Sequence, residues 1–344
     1  MNVMCRLLFF CVVMSTVFSC KKEPKAVNQE INSVIITTIT KDSLLNVRAL
    51  EINEEDVVIA TSEGNTFRLK KGENTFKKLF KKDSVYNPNF RALACTDTSV
   101  FTVSIENPAL LYKDGVLVYK EIHEHVFYDA IEFWNNKEGI AIGDTTDDCL
   151  SILITRDGGD TWKKTSCDNL PKGTFRAFAA SDTNIAIVGD KTWVATGGKV
   201  SAVLYSDDKG ETWESFSTPI IQGLDTTGVY SVDFFNESIG FAIGGDYTKP
   251  EANFINKIKT TDGGKTWQVV SKGKGPGYRS CVQFVPNKNG KELVALGVDG
   301  IDYSPDFGET WKHLSDEKFY TLRFLNDSIA FAAGNGSVAH LKFK

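Results

Sequence analysis

Short runs of apolar and small residues recur along this chain in a fixed order, separated by glycine- and aspartate-rich breaks. A run with aromatic or aliphatic residues comes first, then a turn, then a small-residue run. A third run, a polar turn and a fourth run follow. The small-residue runs Gly139–Asp144, Asn184–Asp190 and Gly240–Asp246 are read as equivalent second strands. Opening strands are expected near residues 47, 90, 129, 176, 230, 280 and 322, which makes seven four-stranded units. The last unit, from Leu322 to Leu341, has room for only three strands. The unassigned segment Ser33–Ile39 is therefore expected to pair there and supply the fourth, removing an exposed sheet edge. Abundant Gly, sparse Pro and frequent Phe, Val and Ile suit short strands and tight turns.

Four polar turns share one pattern, Ser/Thr-x-Asp-x-Gly-x-Thr-Trp. They run from Thr155 through Asp157 to Trp162, from Ser206 through Asp208 to Trp213, from Thr260 through Asp262 to Trp267, and from Ser304 through Asp306 to Trp311. In such a turn the carboxylate can accept backbone N–H groups, the glycine supplies a positive φ, and the indole packs beneath the hairpin. Repetition argues that these aspartates staple hairpins rather than perform catalysis or hold calcium. The pattern resembles the Asp box of the BNR repeat family. That resemblance implies an all-β fold: a single seven-bladed β-propeller of four-stranded antiparallel blades, closed by an N-terminal strand. With Gly277–Val282 and Asp306–Trp311, the chain is similar to the photosystem II assembly and stability factor group of BNR propellers, in its non-photosynthetic bacterial branch. Photosynthetic members of that group hold a membrane-protein partner. Some bacterial relatives carry an oxidoreductase label. No Gly-x-Gly-x-x-Gly opens a helix here and no paired cysteines suggest a redox couple, so no cofactor is expected.

At the N-terminus, Arg6 precedes an apolar run, Leu7–Met14, too short to span a bilayer. Val17-Phe18-Ser19-Cys20 resembles a bacterial lipobox, and Lys21-Lys22-Glu23 looks like a charged export tag. The resemblance implies a signal peptide over 1–19, lipidation of Cys20, a polar tether over 20–32 and the propeller over 33–344. The expected site is the cell envelope, anchored to the membrane through Cys20 and facing either the periplasm or the outside. Loss of Arg6 with the signal moves the formal charge from −5 to −6. A mildly acidic body argues against nucleic-acid partners.

Arg48, Arg91, Arg176 and Arg323 fall at expected inner-strand starts, with Arg279 just before one and Tyr128 and Tyr230 in the remaining two. Asp144, Asp190 and Asp246 fall at expected second-strand ends on the same face. A ring of guanidinium groups, partly countered by carboxylates, would suit a carboxylate, a phosphate or an acidic segment of a partner. The alternative is an Arg–Asp network that only ties blades together. Loops Lys191–Lys199, carrying Trp193, Pro219–Val229 and Tyr247–Asn256 are expected beside it.

Cys149 and Cys167 lie nearly equidistant from the centre of the first Asp-box hairpin and could face each other as a disulfide; Cys95 and Cys281 read as core. His123-Glu124-His125 has metal-like spacing, but only Asp129 offers itself as a third ligand, so no metal is expected. The functional expectation is a protein-binding scaffold and not an enzyme. Its rivals are a glycan-binding surface lipoprotein, for which Trp193 would be the platform, and a sialidase-like glycosidase. The latter needs a Tyr–Glu pair beside the arginines, which cannot be assigned from the sequence.

Overall fold

A computed structural model describes residues 30–344, and Ile31–Lys344 form one compact unit. The signal peptide and Cys20 lie outside the described residues. Among the described residues, apart from a three-residue 3-10 turn at Cys167–Asn169, the regular elements are β-strands. Among the described residues no helix is long and apolar enough to cross a membrane.

The strands form five four-stranded antiparallel sheets and one seven-stranded sheet. The larger sheet is two four-stranded units that share the long strand Val34–Asn53. Its second half, Val47–Asn53, pairs with Asp56–Thr61 and opens unit 1. Its first half pairs with Asn335–Phe343, from Val34 opposite Phe343 to Lys41 opposite Ser337, and so completes unit 7. The fourth strand expected from Ser33–Ile39 is therefore present. Units 2, 3, 5 and 6 open with Phe90–Cys95, Tyr128–Phe133, Thr227–Phe234 and Cys281–Phe284.

Each unit buries apolar side chains against the next. Leu93 packs with Val58 between units 1 and 2, and Phe241 packs with Val282 between units 5 and 6. The last unit packs on the first in the same way, through Phe331 and Val338 against Leu50 and Ile59. Strands buried on both faces lose the strict apolar–polar alternation of a half-exposed sheet, which is why their runs read as nearly continuous apolar segments.

The four Asp boxes share one hydrogen-bond pattern. In the first, Thr155 Oγ1 accepts the Gly159 N–H at 2.9 Å, and Asp157 accepts the Thr161 N–H at 2.9 Å and its hydroxyl at 2.6 Å. Asp208, Asp262 and Asp306 do the same with Thr212, Thr266 and Thr310. The indoles of Trp213, Trp267 and Trp311 also donate to the box glycine carbonyl, whereas the buried Trp162 nitrogen has no acceptor. Glycine is required where the turn meets the neighbouring unit. Gly308 has φ 82°, and a Cβ there would stand 2.2 Å from the Phe241 ring. Beside the first box, Cys149 and Cys167 are joined in a disulfide.

Unit 4 departs from the expected reading. Asn184–Asp190 is not a second strand: Ile185–Val188 is the innermost strand, and Lys191–Ala195 is the second. The segment expected to be an exposed loop around Trp193 is thus a buried strand. Asp190 lies in the turn after the inner strand, where Lys209 of an Asp box approaches it at 3.4 Å, and not on the arginine-bearing face. Arg176 pairs with Gly197 while Ile185 pairs with Val194, so the inner strand advances nine residues against three. The excess, around Phe178–Thr183, leaves the sheet and enters the middle of the molecule.

Candidate functional site

This excursion is a plug. The Asp182 carboxylate accepts the backbone N–H of Leu93 in unit 2 at 2.7 Å and that of Ile131 in unit 3 at 3.2 Å. Ser181 donates to the Ser280 carbonyl of unit 6 at 2.5 Å, and Thr321 of unit 7 donates to the Ser181 carbonyl at 2.8 Å. The Thr183 hydroxyl meets Ser231 of unit 5 at 2.7 Å, and Arg48 of unit 1 donates to the Ala180 carbonyl at 3.2 Å. One short segment from unit 4 is therefore bonded to all six other units. Asp182 holds φ 58°, a strained conformation that these contacts maintain.

The plug separates two cavities. On one side Arg48, Arg91, Arg176, Asp129 and Asp144 line a cavity of about 490 Å³ together with Phe178, Tyr230, Tyr247, Tyr278 and Tyr320. On the other side Glu132, Asp182, Asp233, Gln283 and Arg323 line one of about 450 Å³.

In the first cavity the guanidinium groups differ in how they are satisfied. Arg176 is paired with Asp144 at 3.2 Å and approaches Asp225 at 3.7 Å. Arg48 lies 3.8 Å over the Tyr320 ring, and its buried Nε has no acceptor. Arg91 donates to Asn89 at 3.3 Å and, weakly, to the Ala179 carbonyl at 3.4 Å. Among the described residues no ion pair holds Arg48 or Arg91. Burial, with Arg48 nearby, pushes the Arg91 guanidinium down to about 10. Beside them Asp129 is 0% exposed, and no well-formed hydrogen bond reaches either carboxylate oxygen. Burial holds its pKa far above the usual carboxylate range, the neighbouring Asp144 adds to this, and the Ala179 amide, Arg176 and Arg91 oppose it. Burial likewise pushes Asp144 up to about 6.

The other sequence candidates are placed elsewhere. Arg279 is buried in an ion pair with Asp302 at 2.6 Å and donates to the carbonyls of Tyr278 and Asp299. Arg323 lies beyond the plug, bonded to Glu51 at 2.7 Å and to the Asp182 carbonyl at 2.8 Å. Tyr128 is 1% exposed in the core between units 2 and 3. Its hydroxyl donates to Glu121 at 2.7 Å, so a Tyr–Glu pair exists, but it does not line the arginine cavity. Trp193 is fully buried, stacked on Phe234 at 3.8 Å, and offers no platform to a glycan. Tyr230 does line the cavity, stacked on Phe178 at 3.9 Å. His125 is exposed while Asp129 is buried at the central cavity, and no cluster able to hold a metal is found among the described residues. Cys281 is buried, as read from the sequence, and Cys95 is partly so.

Sequence reasoning missed Asp129 as a cavity residue, along with Tyr278, Tyr320 and the whole plug. The available signal was the distance from Arg176 to Gly189-Asp190. It is too long for one inner strand, and its composition suits two.

Residues 117–219 match the family model described as photosynthesis system II assembly factor YCF48. No curated protein matches the chain. Among solved structures, "YCF48 bound to D1 peptide" is 12% identical, covers 92% of this chain and 98% of its own, and has a TM-score of 0.64. YCF48 from Cyanidioschyzon merolae is 11% identical over 90% of this chain and 98% of its own, with a TM-score of 0.60. The WD40 repeats of RRP9 are comparably similar, at 10% identity over 92% of this chain and 100% of theirs, with a TM-score of 0.63. The chain therefore has a β-propeller fold and resembles the YCF48-like propellers.

Proposed function

We propose that this chain is a lipid-anchored envelope scaffold: a closed seven-bladed propeller, tethered through Cys20, that binds a segment of a membrane protein or another acidic partner on its arginine-bearing face. The observation that carries this reading is the pair Arg48 and Arg91, two half-buried guanidinium groups in one cavity that no carboxylate among the described residues pairs with. Desolvating a cation without a counter-charge is costly, and an incoming anion relieves that cost. The similar YCF48 structure bound to a D1 peptide supports a peptide-binding role. Packing of unit 7 on unit 1, and the plug's bonds to six units, support ring closure. The Cys149–Cys167 disulfide supports export to an oxidising compartment. A rigid face bearing arginine and aromatic side chains, with the Tyr128–Glu121 pair buried away from it, favours binding over glycoside hydrolysis.

In-cell crosslinking of the tagged chain, beside a variant carrying Arg48→Glu, Arg91→Glu and Arg176→Glu, tests this reading. Capture of one membrane protein by the parent and not by the variant, with the variant's melting transition retained, is the expected result. Equal capture by both would make the arginines purely structural.

A further inference from the structure

The cavity that holds the arginines carries both signs of charge, and neither is fully used. On the cationic side, Arg48 Nε is buried without an acceptor and Arg91 meets only an amide oxygen and a distant carbonyl. On the anionic side, both Asp129 oxygens lack a well-formed hydrogen bond. Asp144, half covered by Arg176, opens toward the same space. An anion alone would satisfy the guanidinium groups and leave Asp129 buried with only the poorly aligned Ala179 amide. A cation alone would leave Arg48 and Arg91 as they are. Only a ligand with both charges answers every orphaned group, and the aromatic wall calls for an apolar body between them.

We propose that this cavity is a recognition site for a free α-amino acid with an apolar side chain. The carboxylate lies between Arg48 and Arg91, the ammonium meets Asp144 with Asp129 behind it, and the side chain packs against Phe178 and Tyr230. A volume of about 490 Å³ accommodates a molecule of that size. The inference rests on the reading that the arginine cavity is a binding site, and it names what that site selects.

The Asp129–Asp144 dyad gives the binding event a proton signature. Asp129 faces Asp144, Arg91 and Arg176, and burial raises its affinity for a proton. An arriving ammonium displaces that proton, so the affinity for the amino acid rises with pH while the dyad titrates.

Titration calorimetry on the full chain, with L-phenylalanine, 3-phenylpropionate and 2-phenylethylamine as probes, decides the matter. Phenylalanine is expected to bind at least about tenfold more tightly than either fragment, the ratio expected of one charge-assisted hydrogen bond. It should also release a proton, seen as a heat that varies with the ionisation enthalpy of the buffer. Asp129→Asn, checked for an intact melting transition, should abolish the preference for phenylalanine over 3-phenylpropionate. Should that variant fail to fold, proton release by the parent chain still decides. Equal affinity for phenylalanine and 3-phenylpropionate overturns the zwitterion inference and leaves the anion-binding reading standing. No binding of phenylalanine, with partner capture in cells retained, overturns this inference alone. Unchanged binding of phenylalanine by Arg48→Gln overturns both readings of the cavity.

Discussion

The Asp-box hairpins and the central plug are both held by a carboxylate that accepts backbone N–H groups, yet they are built on opposite principles. Asp157 serves the Thr161 amide four residues away, in solvent, at the edge of one sheet. Asp182 serves the amides of Leu93 and Ile131, 89 and 51 residues away, from a buried position at the centre of the molecule. The first is a local turn written four times. The second is one long-range junction on which most inner strands converge. The electrostatics diverge accordingly. Hydrogen bonding from Thr161 holds Asp157 down at about 2, whereas burial holds Asp182 well above the carboxylate range.

Removing each carboxylate measures that difference. Asp182→Ala leaves two buried amides unsatisfied and should cost roughly 4 kcal/mol, read from the midpoint and slope of urea unfolding. A loss no larger than that of a box variant would mean that the plug is merely enclosed by the blades.

Between these extremes lies the covalent staple beside the first box. Replacing both Cys149 and Cys167 by Ser opens an 18-residue separation and should cost about 3 kcal/mol. Reduction with a thiol should lower the melting temperature of the parent chain and leave the double variant unmoved. Asp157→Ala breaks one exposed turn of four and should cost only about 1 kcal/mol in the same unfolding assay. A much larger loss would show the boxes acting together rather than singly.

The smallest expected effect is in pH. Around the plug, burial pushes Glu51 up to about 7 and Asp233 up to about 6. Carboxyls with raised folded pKa values bind protons that the unfolded chain releases. Their contribution is full below the usual carboxylate range and is lost as pH rises through about 6 to 7. Asp157 has the opposite sign: its contribution is present above its unfolded pKa and is lost as pH falls through about 2. Urea midpoints from about pH 5 to about pH 7.5 should therefore fall, and Glu51→Gln should flatten that fall. A slope unchanged in Glu51→Gln would remove Glu51 from the account.

Several features were legible in the chain because they depend on short-range chemistry. The box turns, the inner strands beginning with Arg48 and Arg91, and the need for a fourth strand in the last unit all follow from local pattern and from the cost of an unpaired edge. The arginines were legible as residues but not as a site. Arg48, Arg91 and Arg176 share a cavity, while Arg279 turns into an ion pair with Asp302 and Arg323 lies beyond the plug with Glu51. Nothing local distinguishes these five, since what separates them is the partner each meets from another unit. Trp193 was misplaced for a related reason. Asn184–Asp190 has the composition of a second strand, and only pairing register shows it to be the inner one.

By itself, then, the sequence determined the repeating unit, the turn chemistry and the number of units, because hydrogen bonds over two to four residues and the packing of one sheet on the next repeat in each. Tertiary structure alone decided the plug, the division of the centre into two cavities and the company each arginine keeps. Those depend on which side chains from units far apart in the chain share a buried space, and the energy of a buried charge is set by its neighbours there rather than by its position in the chain.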